Sequence, residues 1–479
     1  PHSFSSRAPL PLYLHEPAPF PKVTAAVVKA AATAPAVVKV VRVDVASGSP
    51  QSELYASLPP DVQGIIGRGL GCASVDESLK VVTACVKLGV EHAAEVDGKT
   101  AVMVVGNTGA GKSTFVNGLA GCKLEMVTLE YAGGKTKTGV FVVADDSPVP
   151  SCMDIGHSSV SQTFIPDFAP LATIGAVAID CPGFVDNRGA EISIANAANI
   201  KAAMAHAAGV VLVVLVDYFT LFAGRNDGAR EILEMVVGLF GTPEGALIYV
   251  ESIHVVVSKV PVAMELAVVK EKFALDGLSP RMAPVLEALA DRVCVFHPED
   301  KGGASWSTLA AIAAAIKASP TVADPGRVFK TMLSIADEAK LRAMVESLLE
   351  LLLAALVGKD HAGAAEALGD MTRLDLVDHV AVTRLLDSAR ERVSDTLSTR
   401  CYQAQAALLG DRFDDAAAGV GDLRAFLGAF AAAGVGGQVG CMELSARADG
   451  IDATTVDRKA ELARRTQQEE VAQGTAAAL

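Results

Sequence analysis

Aromatic residues are scarce in this chain: 5% of 479 positions, with a single tryptophan. Long apolar runs are missing as well. No stretch reaches the roughly 18 strongly apolar residues that a membrane span needs. The nearest, Ala425 to Met442, is mostly Ala and Gly and reads as packed helix and turn. The high apolar share, 51%, is therefore an alanine effect, and no transmembrane span is expected. There is no excess of basic charge: 41 Lys and Arg stand against 55 Asp and Glu, a net charge of −14, which excludes a broad nucleic-acid surface. The eight cysteines form no C-x-x-C pair, which argues against a Cys metal site and points to a reducing compartment, cytoplasmic or organelle interior. No H-E-x-x-H, G-x-S-x-G or Cys-His pairing occurs, and His157, His206 and His254 stand alone.

What is present is a complete phosphate loop. Gly106-Asn107-Thr108-Gly109-Ala110-Gly111-Lys112-Ser113-Thr114 matches G-x-x-x-x-G-K-[ST], after an apolar strand and before a helix start. The glycines let the backbone wrap so that successive N–H groups face phosphate oxygens, and the helix N-terminus adds partial positive charge. Lys112 is expected to reach the β- and γ-phosphates, and to face solvent when no nucleotide is bound. Ser113 offers a hydroxyl to Mg²⁺. A second signal is the apolar strand that ends in Asp180-Cys181-Pro182-Gly183. Asp180 is placed to hold Mg²⁺ and the Gly183 N–H to donate to a γ-phosphate oxygen.

Around these motifs strands and helices alternate. The sequence predicts strands at Cys122–Leu129, Val140–Val143, Ala172–Ile179, Gly209–Val216, Ile253–Val257 and Arg292–Phe296, with helices between several of them. This is the pattern of an α/β P-loop NTPase domain with a mostly parallel sheet. The expected layout is an extended Pro/Ala-rich arm over 1–50, a helical segment over 51–98, the nucleotide domain over 99–318 and an independent all-α domain over 319–479, divided at Ser319-Pro320. The arm holds only Glu16 and Asp44 as acids. It is compatible with the remains of an organelle transit segment and equally with a flexible arm on a partner. In the helical part, Leu356 to Met371 echoes Leu408 to Leu423, each copy reading as a helix end, a turn and a second helix.

The phosphate loop followed by Asp180-Cys181-Pro182-Gly183-Phe184 resembles the translation-factor-related class of P-loop GTPases. The Pro before the glycine and the apolar residue after it are more like the branch of septins, immunity-associated GTPases and chloroplast Toc receptors than Ras. The resemblance covers about residues 99–318. It implies a Ras-like G domain that binds GTP or GDP with Mg²⁺, and a switch threonine on the metal. Thr163 is favoured for that role, with Thr136 and Thr138 as competitors.

Two positions depart from the family pattern. Where [NT]-K-x-D should follow the strand at 253–257, the chain reads Ser258-Lys259-Val260-Pro261. Lys259 remains to pack along the base, but the guanine-reading carboxylate is absent. Loss of such a bidentate contact removes roughly 1–3 kcal/mol of base discrimination, so ATP stays open; Glu299 and Asp300 are the candidate substitutes. Phe184 stands where Ras-like enzymes carry a water-orienting Gln, which implies slow hydrolysis unless Arg188 or Arg225 assists. The expected function is Mg²⁺-dependent nucleotide binding and slow hydrolysis, with nucleotide state controlling self-association or a protein partner through the G domain or the helical extension. A non-hydrolysing structural subunit is the first alternative and a small-molecule P-loop kinase the second.

Overall fold

The computed structural model describes residues 40–43, 50–67, 72–131, 136–155, 165–182, 189–222, 227–261, 264–271, 280–299, 307–331 and 333–478. Among the described residues ten strands form two sheets. β1 (Val40–Val43), β3 (Leu124–Tyr131) and β4 (Thr136–Val143) make a small sheet in the order β1-β3-β4. The large sheet contains β2 (Thr100–Val105), β5 (Asp167–Leu171), β6 (Ala176–Asp180), β7 (Gly209–Asp217), β8 (Ile253–Ser258), β9 (Val293–Val295) and β10 (Val322–Ala323). Its order is β5-β6-β2-β7-β8-β9, with β10 paired to β7. β2 runs parallel to both β6 and β7, and β8 continues parallel to β7 and β9. The carboxyl ends of β2, β6, β7 and β8 therefore open along one edge, where open α/β sheets bind ligands.

The composition of β7 explains its central place. Its first eight residues, Gly209 to Val216, are all buried, as expected for a parallel strand covered on both faces. Val210, Leu212, Val214 and Val216 join one core with Met103 and the helices Ala190–His206 and Asp227–Phe240. Val211, Val213 and Leu215 join another with Phe115, Ile312 and Ile316, from the helices Lys112–Ala120 and Leu309–Ala318.

The helices Ile335–Gly358, His361–Leu374, Val380–Leu409, Phe413–Ala432 and Cys441–Ala478 make up the C-terminal part. The first starts at a capping box, Ser334 with Asp337, a strong local start signal. The internal echo falls where its pattern places it. Leu356 lies in the last turn of Ile335–Gly358, before His361–Leu374, and Leu408 in the last turn of Val380–Leu409, before Phe413–Ala432.

Three expectations need correction. The boundary at 318 falls too early, because Val322–Ala323 pairs antiparallel with Gly209 and Val210, and Phe329 is buried in a core of the sheet domain. A strand of two residues carries no periodicity to detect. Nor does the helical part stand independent: Leu341, Val345 and Leu368 share one apolar core with Val82 and Val86 of the helix Val75–Ala93 and with Ile192 and Ala195 of Ala190–His206. The run 172–179 is not one strand but the turn and second strand of the β5–β6 hairpin, where Gly175 takes a positive φ of 77°. In the arm, Val40–Val43 pairs in parallel with β3; the rest of residues 1–49 lies outside the described residues.

Candidate functional site

The phosphate loop joins the end of β2 to the helix Lys112–Ala120. Gly106 has no room for a side chain, since a Cβ there would lie 2.2 Å from the Leu215 carbonyl oxygen. Gly109 and Gly111 have φ of 83° and 93°, in the left-handed region where glycine is unstrained. Asn107, Thr108, Gly109 and Ala110 line a cleft shared with Asp217, Thr220 and Lys259. Thr114 lies in the first helical turn, half-buried.

Lys112 does not face solvent. It is 9% exposed, and its ammonium donates to the carbonyls of Gly106 at 2.9 Å and Asn107 at 3.2 Å. Two carbonyls of the loop hold the cation, which a stronger anion would have to outcompete.

Ser113 and Asp180 come together at the edge between β2 and β6. The Ser113 hydroxyl donates to Asp180 Oδ2 at 2.7 Å. Asp180 is 1% exposed, and its Oδ1 has no hydrogen-bond partner among the described residues. Burial pushes its carboxyl up to about 6; Lys112 and the Ser113 hydroxyl oppose the rise, and Asp167, its cross-strand neighbour, adds to it. A buried carboxylate with one oxygen unmet beside a serine hydroxyl fits a divalent cation, which removes that cost on binding. Mg²⁺ takes few protein oxygens and completes its shell with phosphates and water. Ser113 and Asp180 suffice as protein partners of that kind.

At the end of β8, Ser258 donates to the Ala110 carbonyl at 2.6 Å and so ties this strand to the phosphate loop. Lys259, at a positive φ of 57°, lays its ammonium between the Gly109 carbonyl and Asp217 Oδ2, each at 2.6 Å. Asp217 is the residue that sequence reasoning missed. Its only sequence signal is its place at the end of the all-apolar β7, and its partner is 42 positions away. Pro261 is the position at which a base-reading carboxylate is expected, and Glu299 lies in the turn after β9, its N–H donating to His297 Nδ1 at 3.2 Å. Thr136 and Thr138 are on exposed positions of β4, in the small sheet. Thr163, Gly183, Phe184, Arg188, Arg225 and Asp300 lie outside the described residues.

Residues 101–240 match the family model described as 50S ribosome-binding GTPase. The span runs from β2 to the end of the helix Asp227–Phe240 and so takes in the phosphate loop, Asp180 and β7. It supports a P-loop GTPase domain that binds guanine nucleotide with Mg²⁺, and stops short of Ser258-Lys259. No curated protein matches the chain. Among the described residues no helix is long and apolar enough to cross a membrane.

Proposed function

We propose that this chain binds GTP with Mg²⁺, hydrolyses it slowly, and uses the nucleotide state to set the posture of its helical extension, and through it association with a protein partner or a second copy. The observation that carries the proposal is the Ser113–Asp180 pair at 2.7 Å, with Asp180 Oδ1 unmet, at the mouth of the loop that holds Lys112. In this scheme the backbone N–H groups of Gly109 to Ser113 hold the phosphates, and Lys112 leaves its carbonyls for the β- and γ-oxygens. Ser113 and Asp180 would hold Mg²⁺, with Thr163 as the candidate third protein ligand and the Gly183 N–H as the candidate donor to the γ-phosphate. The metal neutralises charge that develops on the phosphate oxygens.

The aliphatic stem of Lys259, fixed at its tip by Gly109 and Asp217, forms a platform for the purine ring. The likeness to the septin, immunity-associated GTPase and Toc receptor branch, carried by Pro182 and Phe184, belongs to this proposal too. The route to the helical extension is the helix Ala190–His206. It follows the phosphate-sensing segment and contributes Met204 to the core of the sheet domain and Ile192 to that of the bundle. At its start Glu191 accepts from Ser78 at 2.7 Å and pairs with Lys340 of the helix Ile335–Gly358. Phe184 keeps the non-hydrolysing subunit as the second reading. One experiment tests both: nucleotide extracted from the purified chain, followed by single-turnover hydrolysis of loaded GTP. Bound GDP with slow turnover is expected. Stably retained GTP points to the subunit, and failure to load any nucleotide with Mg²⁺ overturns the site.

A further inference from the structure

Two thiols converge at the C-terminal end of the helix that follows the phosphate loop. Cys122 lies between the helix Lys112–Ala120 and β3, and Cys152 lies in the segment that follows β4. Asn117 of that helix, fully buried, fixes both. Its carbonyl accepts from the Cys122 N–H at 3.0 Å. Its side-chain Oδ1 accepts from the Cys152 N–H at 2.9 Å and the Met153 N–H at 3.3 Å. Its Nδ2 donates to the Met153 carbonyl at 2.8 Å and to the Ser113 carbonyl at 3.0 Å. One asparagine therefore ties the segment after β4 to the phosphate-loop helix and sets the two cysteine backbones side by side.

The side chains meet where the backbones do. Cys122 Sγ lies 3.5 Å from Asn117 Oδ1, and Cys152 Sγ lies 3.3 Å from the same oxygen. Each thiol is also within hydrogen-bonding reach of the other. A disulfide needs neighbouring Cβ atoms and sulfurs that can turn toward each other. Two cysteines anchored on one residue, with their sulfurs on one oxygen, are placed for that bond with side-chain rotation as the main adjustment. Cys122 is buried and Cys152 partly exposed, so a small oxidant reaches Cys152 first. Burial pushes the Cys152 thiol up to about 12 and raises that of Cys122. Neither is held as a thiolate, so exchange is slow, and the reduced pair has no stabilised charge to lose when it is oxidised.

We propose that Cys122 and Cys152 are a redox modification site: they form a reversible disulfide that clamps the base of the β3–β4 hairpin at the end of the phosphate-loop helix. The oxidant is a low-molecular-weight disulfide of the glutathione class. Cys152 loses its proton and its sulfur attacks one sulfur of the oxidant. The oxidant's S–S bond breaks, and one small thiol leaves with that proton. Cys122 then gives up its proton and attacks Cys152 Sγ of the mixed disulfide, and the second small thiol leaves. The protein pair loses two electrons and two protons; the oxidant gains both and becomes two thiols. The new bond closes the chain around the hairpin and restricts the unfolded state, so the oxidised chain is the more stable. The proposal rests on the thiol pair alone and is independent of the nucleotide reading.

The test uses the full chain, reduced with dithiothreitol, freed of it, and exposed to excess glutathione disulfide. Remaining thiols are blocked with N-ethylmaleimide in denaturant, and a non-reducing digest is read by mass spectrometry. The peptides joined through Cys122 and Cys152 should exceed any other cysteine pair at least tenfold, and should vanish when dithiothreitol is returned. The melting temperature of the oxidised chain should rise by several degrees and fall back on reduction. Cys152→Ser, at the partly exposed member, should abolish both the linked peptide and the oxidant-dependent rise. Recovery of both cysteines as free thiols or as separate glutathione adducts overturns the site, as does predominant pairing of either with another cysteine. A linked peptide without a rise in melting temperature overturns the clamp.

Discussion

The two halves of the nucleotide cleft differ in completeness. On the phosphate side the loop from Gly106 to Thr114 is intact, Lys112 is buried in it, and Ser113 meets Asp180 at 2.7 Å. On the base side Lys259 is anchored on the loop, yet Pro261 occupies the place of the carboxylate that reads guanine. Phosphate groups supply charge and many donors; a base edge supplies a few directional bonds. The proposed function therefore expects a nucleotide held chiefly by the phosphates and Mg²⁺, with weak selection of the base.

The largest effect should come from the complete half. Lys112→Ala is expected to weaken nucleotide binding at least a hundredfold, about 3 kcal/mol or more, in a fluorescent-nucleotide titration, with the circular dichroism of the folded chain retained. An unchanged affinity would remove the contrast altogether. Asp180→Asn keeps the shape and deletes the charge. It should abolish the Mg²⁺ dependence of binding, on the order of thirtyfold or about 2 kcal/mol, while Mg²⁺-free affinity stays near that of the parent chain.

A control sits away from the cleft. His254, 6% exposed in β8, contacts Ser319 Oγ at 2.8 Å, and burial, with Arg292 adding, holds its imidazole down at about 4. The folded state thus binds this proton less well than the unfolded chain, whose histidine titrates near 6.5. Its contribution to stability is full above pH 6.5 and is lost as the pH falls from 6.5 toward 4. Between pH 7 and pH 5 the loss should be about 2 kcal/mol, read by urea unfolding at each pH. His254→Asn should flatten that slope without changing nucleotide affinity at pH 7. A change in affinity would show that the two edges of the sheet are coupled.

The smallest effect belongs to the incomplete half. The native preference for GTP over ATP should be about a hundredfold or less, and Pro261→Asp should raise it by about tenfold, or 1.4 kcal/mol, in competition binding with GTP, ATP and XTP. Strong native selectivity would mean that another carboxylate, such as Glu299, reads the base, and would erase the difference between the halves.

The contiguous parts of this molecule are legible without coordinates. The phosphate loop is one uninterrupted segment, and β7 is an unbroken apolar run whose burial on both faces follows from its composition. The helix Asp227–Phe240 and the turns before His361 and Phe413 are likewise local patterns. What failed to show were features with too few residues to make a pattern. Val322–Ala323 is two residues long, and the β5–β6 turn hides inside an apolar stretch because Gly175 is its only punctuation.

By itself, then, the order of residues determined the chemistry of the loop, the Asp180 strand and the alternation that makes an α/β sheet, because each is written in neighbours along the chain. Tertiary structure alone decided that Lys112 rests on its own loop carbonyls, that Asp217 holds Lys259, and that Lys201 and Lys330 meet at Asp378. It also decided that the helical extension shares its core with Val75–Ala93 and Ala190–His206. The physical reason is that charge pairing and apolar packing act through distance in space, and Lys201 and Asp378 lie 177 positions apart. No periodicity or motif in either segment records the other.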